Sequence, residues 1–314
     1  MRKSGVAWIT GHKGFIGYNL LSSIIDDYKL IGCIGRGNLK TESFTKSPKV
    51  KKINGEINSE NLISLKQITK EPDVIFHLAG CSSVFKAENN IINTSTESIF
   101  AITSLLEFCR LNSNKTLVII VSSPAVFGQN KKVRNMKSGE NPVSIYGLQK
   151  SFVEQISNYY YYNYSLKIKI ARVYSCYGNG LKKQFLWDFC NKLISGEKAN
   201  LWGSGEEIRD FIHIYDVIQA LRLFVNSKNV FRYIDIGNGV KIKMKDLSVL
   251  IFKSMNLYND GKISDYEFSG KKSNGNPTAL YANTKVLLKI GYKQNIPIEK
   301  GVKDYCKWFS EINN

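Results

Sequence analysis

Tyr146 and Lys150 stand four residues apart in a stretch with helical spacing, so their side chains share one face. A free phenol, with a pKa near ~10, exchanges protons poorly at neutral pH, and a nearby ammonium favours the phenolate and lowers that value. Ser123 follows the apolar run Leu117–Val121, at the C-terminal end of an expected strand, where ligands bind in open α/β sheets. Its hydroxyl and that of Tyr146 can hold one substrate oxygen between them. Ser123, Tyr146 and Lys150 together suit proton exchange with a carbinol or ketone while hydride moves to or from a carrier. Tyrosine and lysine at this spacing also co-occur by chance, so the pair gains meaning only from the rest of the chain.

A place for the carrier lies near the N-terminus. Thr10-Gly11-His12-Lys13-Gly14-Phe15-Ile16-Gly17 sits between an apolar run and a helical pattern. Glycines there permit a tight turn, close approach of backbone to a pyrophosphate at the helix N-terminus, and close packing of helix on strand. The strand–turn–helix context separates this motif from a chance glycine triplet. About 20 residues on, an acidic side chain would accept from the adenosine ribose. The sequence has Ile34-Gly35-Arg36-Gly37 instead. Arg36 can pair with a 2′-phosphate, which favours NADP(H), with NAD(H) possible. Its other readings are an exposed arginine or one stacked on adenine.

These residues need elements to carry them. Val6–Thr10, Leu30–Ile34, Val74–Leu78, Leu117–Val121 and Lys167–Val173 read as strands, several apolar throughout as in strands buried on both faces. Helical spacing covers 15–27, 91–111 and 144–164. This alternation predicts an α/β fold with a doubly wound parallel sheet. After Val173 the pattern loosens around a helical stretch at 185–194. Residues 211–225 and 231–236 read as a return to the sheet, and 239–314 as most of a smaller mixed α/β lobe. Substrate is expected in a cleft between the two lobes.

The chain has 314 residues, 43% of them hydrophobic, enough for such a pair of lobes. No segment reaches the roughly 18 consecutive apolar residues of a membrane span. Met1-Arg2-Lys3-Ser4-Gly5 is too short for a signal peptide before Val6 opens a strand, so a cytoplasmic location is expected. The six cysteines form no CxxC pair, and the three histidines are far apart, so no metal site is expected. The net charge of +18 comes from scattered lysines such as Lys51-Lys52, Lys131-Lys132 and Lys271-Lys272. That reads as a solvated surface rather than a nucleic-acid face, and it would also favour a diphosphate substrate.

Across nearly its whole length the chain resembles the extended short-chain dehydrogenase/reductase family of sugar-nucleotide epimerases, dehydratases and reductases. Thr10 to Gly17 resembles the family's TGxxGxxG turn, Asp73 to Gly80 its fourth-strand motif, and Tyr146 to Lys150 its YxxxK motif. Ser122 to Gly128 resembles SSxxVYG with Phe127 for the usual tyrosine. Arg172 to Gly178 resembles RxxNxYG with Ser175 for the usual asparagine, and Arg209-Asp210-Phe211 resembles the RDF segment. The resemblance implies a dinucleotide-binding domain over 1–173 and 211–238, and a nucleotide-sugar lobe over 174–210 and 239–314. It implies further cofactor contacts at Glu56, Leu78, Ala79, Gly80, Asn93, Val121 and Val173. Substrate contacts are implied at Ser83, Ser123, Pro124, Ala125, Ser175, Gln184 and Trp187, and at Arg209, whose guanidinium fork suits a diphosphate. Arg209 and Asp210 also fit a structural ion pair.

The family's 4,6-dehydratases carry an acidic pair directly after the catalytic Ser or Thr. Here those positions are Pro124 and Ala125, which cannot move a proton, so dehydration is not expected. Two reactions with the same side chains remain. One is NADPH-dependent reduction of the C4 ketone of a nucleotide-linked 4-keto-6-deoxy sugar, as in the similar reductases of bacterial polysaccharide precursor synthesis. The other is NAD-dependent 4-epimerisation. Arg36 favours the reductase, and an inactive binding protein on the same fold is the remote alternative. The family commonly pairs subunits through the Tyr146 helix and the helix over 91–111, so a homodimer is expected. Cys81 fits a proton donor or, more commonly, a small buried hydrophobe, and His213 reads as structural.

Overall fold

The computed structural model describes residues 5–36, 46–128, 140–227, 231–271 and 277–313. Met1 to Ser4, Gly37, Lys131, Lys132 and Lys272, which enter the sequence reading, lie outside the described residues. The chain opens with β1 (Val6–Thr10), α1 (Phe15–Ile24), β2 (Leu30–Gly35), β3 (Val50–Asn54), α2 (Ser59–Thr69) and β4 (Val74–His77). Next come α3 (Val84–Asn89), α4 (Ile91–Ser95), α5 (Ala101–Asn112), β5 (Leu117–Ser122), α6 (Ile145–Tyr164) and β6 (Lys167–Val173). Then follow β7 (Ser175–Tyr177), α7 (Gln184–Leu193), β8 (Ala199–Leu201), β9 (Ile208–Arg209), β10 (Phe211–His213), α8 (Ile214–Asn226) and β11 (Tyr233–Ile236). The last elements are β12 (Ile242–Lys243), α9 (Met244–Tyr258), β13 (Tyr266–Phe268), β14 (Ala279–Leu280), α10 (Lys285–Lys289) and α11 (Ile298–Asn313).

A seven-stranded sheet has the order β11-β6-β5-β4-β1-β2-β3, and each neighbouring pair among β6, β5, β4, β1, β2 and β3 is parallel. The order reverses direction at β1, which places the turn after β1 at the switch point of a doubly wound sheet. The expected α/β class is therefore the observed one. β1, β4 and β5 are buried almost throughout, in keeping with their apolar runs. Trp8 of β1 anchors one face: its ring stacks on Phe108 with centroids 5.5 Å apart, and its indole donates to Thr69 at 2.8 Å. A Cβ at Gly32 would lie 2.6 Å from that indole, so β2 needs a glycine there.

The helix expected over 91–111 is interrupted by a π-helical turn at Thr96–Phe100. The cause is local competition by hydroxyls. Thr94 and Thr96 donate back to Asn90 and Ile92 carbonyls at 2.8 and 3.2 Å, while Ser98 accepts from the Cys81 amide at 3.0 Å.

By contact the chain divides into two units. One comprises Met1–Phe127, Glu140–Arg172 and Phe224–Ile234; the other includes Val173–Leu223 and Asp235–Asn314. In the first, the core joins β1, β4, β5 and β6 to α2, α5 and α6 through residues such as Leu65, Leu105 and Val153. In the second, α7, α9 and α11 bury Phe189, Ile251, Tyr305 and Phe309 against one another. Asp210 is fully buried there, and its carboxylate accepts from the amides of Asn238, Gly239 and Ala282 at 3.0, 2.8 and 3.0 Å. Three backbone donors are what a buried carboxylate needs. Among the described residues no helix is long and apolar enough to cross a membrane.

Candidate active site

The glycine turn is built by close backbone approach. Gly11 has φ +69°, and a Cβ there would lie 2.8 Å from the Ala79 amide nitrogen. A Cβ at Gly17 would lie 2.4 Å from the Gly11 carbonyl oxygen. Any side chain at either position would push the turn off β4 or α1 off the turn. Thr10 ties the turn to β4: its hydroxyl accepts from the Leu78 and Ala79 amides at 3.2 Å and meets His77 Nδ1 at 2.9 Å. Gly14 precedes α1 with no side-chain cap, and no acid lies in the first turn that includes Phe15, Ile16 and Gly17. The helix N-terminus therefore keeps amides and a positive dipole end for an anion. This cradle fits the pyrophosphate of a dinucleotide. His12 is fully buried beside it, and burial pushes its imidazole down to about 4, so it adds no charge.

Past the end of β2, Arg36 forms an ion pair with Glu56 and lies 3.7 Å from Glu97. Lys13 donates to the Gly35 carbonyl at 3.0 Å and to Asn54 at 2.9 Å, tying the turn to the ends of β2 and β3. The sequence around Arg36 holds no carboxylate, but the fold supplies two.

Ser123, Tyr146 and Lys150 are brought together at the end of β5. Ser144 caps α6 by accepting from the Gly147 amide at 3.1 Å, and the Ile145 amide donates to Glu88 at 2.8 Å. Gly147 lets the helix start close to the turn after β5: a Cβ there would lie 2.7 Å from the Ala125 carbonyl oxygen. That approach brings α6, with Tyr146 in its first turn, against the turn that follows Ser123. Ser123 also accepts from the Ala125 amide at 3.2 Å. One helical turn on, Lys150 is 7% exposed, with Nζ 3.5 Å from the Val121 carbonyl and 5.8 Å from the Tyr146 ring centre.

The electrostatics differ from the sequence expectation. Burial raises the Tyr146 phenol above its ordinary value, and the Ser123 hydrogen bond only partly offsets this. The lowering expected from Lys150 is not found: burial sets the direction of the shift. Burial also lowers the Lys150 ammonium to about 8, against partial support from Glu154. Below it, His77 is pushed down to about 3 by burial and by the Lys150 charge, so it is a neutral partner for Thr10.

Around this group, Pro124 is buried and Ala125 half-buried in a short 3₁₀ turn. Gly80 has φ +119° and packs against Ser98. Cys81 is buried, donating its thiol to the Ser83 carbonyl at 3.3 Å, and Ser83 caps α3 by accepting from the Lys86 amide at 3.2 Å. Asn93 is exposed on α4, whereas its neighbours Thr94 and Ser95 accept from Gln149 at 2.9 and 3.0 Å.

The remaining sequence candidates belong to the second unit. Val173 is buried at the end of β6, and the Ser175 amide donates to the Asp210 carbonyl at 3.0 Å. Arg209 is half-buried in β9, with Nη1 2.8 Å from the Ile208 carbonyl. Gln184 is exposed at the start of α7, with φ +67°. Trp187 packs one side against Phe309 at 5.1 Å between centroids, and Lys182 lies 5.6 Å from its ring. His213 is buried between the rings of Tyr177 and Tyr215 and accepts from the Tyr215 amide at 3.3 Å.

One group escaped the sequence reading. Glu154 is fully buried and binds Arg172 through two hydrogen bonds of 2.9 and 2.5 Å, while Ser122 donates to it at 2.6 Å. The guanidinium lies 4.4 and 4.9 Å from the ring centres of Phe127 and Tyr233. Glu154 follows Tyr146 and Lys150 at the same four-residue step, and that spacing was the available signal.

A profile described as "NAD dependent epimerase/dehydratase family" matches residues 7–237. A putative UDP-glucose 4-epimerase of Methanocaldococcus jannaschii is 24% identical, over 97% of this chain and 98% of its own. A solved UDP-N-acetylglucosamine 4-epimerase of Methanobrevibacter ruminantium superposes with TM-score 0.84 at 23% identity, covering 99% of this chain and 100% of its own. UDP-glucuronic acid 4-epimerase of Bacillus cereus, solved with UDP-glucuronic acid and NAD, gives TM-score 0.85 at 21% identity, covering 98% and 99%. With the cradle, the parallel sheet and the profile in agreement, the chain belongs to the NAD-dependent epimerase/dehydratase family.

Proposed function

We propose that this protein is an NAD-dependent 4-epimerase of a nucleoside-diphosphate hexose. The observation that carries the reading is the Lys150 ammonium 5.8 Å from the centre of the Tyr146 ring and 3.5 Å from the Val121 carbonyl, two residues before Ser123, in the same unit as the glycine cradle. Tyr146 takes the C4 hydroxyl proton and later returns it, and Ser123 holds the same oxygen through both steps. Lys150 supplies positive charge beneath the phenol. The turn from Thr10 to Gly17 would hold NAD, which would supply a carrier for the C4 hydride and a cationic ring favouring ionised Tyr146. Between the two transfers the 4-keto sugar turns its other face. Pro124 and Ala125 offer no acid for water elimination, which weighs against dehydration. The names of the similar 4-epimerases, and the NAD bound in one of them, support the same choice.

The 4-ketoreductase uses the same three side chains, and a Tyr146 held protonated is ready to donate to a nascent alkoxide. Arg36 was its main support, and the two carboxylates around that guanidinium remove much of it. Arg209 remains the proposed diphosphate contact, with Ser83, Ser175, Gln184 and Trp187 as further substrate contacts. Exposed Phe100 on the π turn and Leu148, Phe152 and Tyr159 on α6 support a homodimer through these helices.

The test is incubation of the purified protein with UDP-hexoses and no added cofactor, resolving 4-epimers by chromatography. Interconversion of a 4-epimer pair is expected. No interconversion, together with stoichiometric NADPH oxidation on a 4-keto nucleotide sugar, would replace the epimerase by the reductase.

A further inference from the structure

We infer that Asn179 is a site of spontaneous, backbone-assisted deamidation, singled out by the fold from among the chain's Asn-Gly steps.

Four such steps occur, at Asn54, Asn179, Asn238 and Asn274, the last of them outside the described residues. The chemistry is the same at each. The glycine nitrogen attacks the asparagine Cγ, so that an N–Cγ bond forms and the Cγ–Nδ2 bond breaks. The side-chain nitrogen leaves as ammonia, taking the proton of the glycine amide. Water then opens the cyclic imide at either carbonyl and leaves aspartate or isoaspartate. Water is the only co-reactant, and nothing is oxidised or reduced. Asparagine is among the thermolabile residues, and a following glycine has no Cβ to obstruct the attack. Hydrogen bonds to the glycine amide or to the asparagine side chain hold the step back.

Asn238 is held at both groups. Its side chain donates to the Phe211 carbonyl at 3.0 Å and accepts from the Tyr292 hydroxyl at 2.6 Å. The Gly239 amide donates to the buried Asp210 carboxylate at 2.8 Å. Asn54 closes β3 opposite Gly35, and the Gly55 amide donates to the Gly35 carbonyl at 3.3 Å. Lys13 donates to the Asn54 side chain at 2.9 Å. That ammonium would activate the Asn54 amide, but the paired backbone keeps the Gly55 nitrogen directed at Gly35.

Asn179 is placed differently. It follows β7 in a turn closed by the Leu181 amide on the Gly178 carbonyl at 3.1 Å. Gly180 takes the third position of that turn with φ +93°, a conformation that favours glycine. Asn179 and Gly180 are both exposed. Among the described residues, neither the Asn179 side chain nor the Gly180 amide has a hydrogen-bond partner. The turn thus requires the glycine that makes the step reactive and engages neither reacting group. Its product would put a carboxylate, or a lengthened isoaspartyl backbone, between β7 and α7, beside Lys182 and Lys183.

The test ages the purified full chain in mildly alkaline buffer, once folded and once in urea, and maps tryptic peptides by tandem mass spectrometry. Peptides 53–66, 173–182 and 233–241 report Asn54, Asn179 and Asn238 separately. In the folded chain the conversion of amide to acid at Asn179 should lead the other two by about tenfold or more, since the held steps must first open locally. In urea the three rates should converge. A folded chain in which Asn179 reacts no faster than Asn54 or Asn238 would overturn the inference. So would a lead that persists in urea, which would assign it to flanking sequence rather than to the fold.

Discussion

Lys150 places its ammonium 5.8 Å from the centre of the Tyr146 ring while hydrogen-bonding the Val121 carbonyl at 3.5 Å. The cation is thus fixed by the end of β5, the strand that also leads to Ser123. The proposed catalytic geometry depends on α6 docking against β5, which leaves a lysine in a desolvated place.

That cost has a measurable pH signature. The folded-state value of Lys150 is about 8 against an ordinary 10.5. The folded chain therefore releases this proton before the unfolded chain does. Stability attributable to the group is fully present above pH ~10.5 and is lost as pH falls through ~8, by about 3 kcal/mol from the 1.36 kcal/mol per pKa unit. Lys150→Met should therefore be more stable than the wild type at pH 7, by about 2–3 kcal/mol, and should lose that advantage near pH 10.5. Urea melts at the two pH values check this; an advantage independent of pH would show that the lysine is not desolvated as described.

Tyr146→Phe removes the proton donor and leaves the ring in place. Turnover on the cognate nucleotide sugar should fall by about 10²–10⁴-fold, the usual worth of a positioned acid–base group. The melting temperature should stay within a few degrees of the wild type. Unchanged turnover would remove Tyr146 from the chemistry.

The Glu154–Arg172 pair ties α6 to β6, with Ser122 of β5 sharing the carboxylate. Breaking a buried pair from one side leaves an uncompensated charge and costs about 3–5 kcal/mol, whereas replacing both partners by apolar groups is far milder. Glu154→Leu or Arg172→Met alone should shift the denaturation midpoint strongly, and the double variant should recover much of the loss. Additive losses would mean that the two residues act independently.

The homodimer proposal predicts twice the chain mass in light scattering at micromolar protein, and a shift toward monomer for Phe152→Asp on the exposed side of α6. A monomer mass for the wild type would refute it.

How much of this was readable from the chain varied with the residue. β1, β4 and β5 were legible because strands buried on both faces leave continuous apolar runs. β3 and α2 were not singled out: Val50-Lys51-Lys52-Ile53-Asn54 is an edge strand whose lysines hide its alternation. The glycine turn was legible because Gly11 and Gly17 answer to backbone contacts that admit no side chain. Arg36 was read without its partners, because Glu56 reaches it through the pairing of β2 with β3 and Glu97 through the packing of the π turn. Glu154 was not singled out, since its burial depends on an arginine from another strand. At the end of α6, Tyr160 donates to Glu107 at 2.9 Å and the Arg232 guanidinium lies 3.9 Å from the Tyr161 ring centre, while Tyr159 and Tyr162 are exposed.

The most direct test of hydride exchange at C4 is isotopic. A UDP-hexose deuterated at C4 would be incubated with the protein until its 4-epimer accumulates, and the label followed by mass spectrometry and NMR. The account predicts that deuterium stays on C4 in the epimer, having left and returned as hydride within one active site. Loss of the label to water, with the epimer still formed, would contradict it.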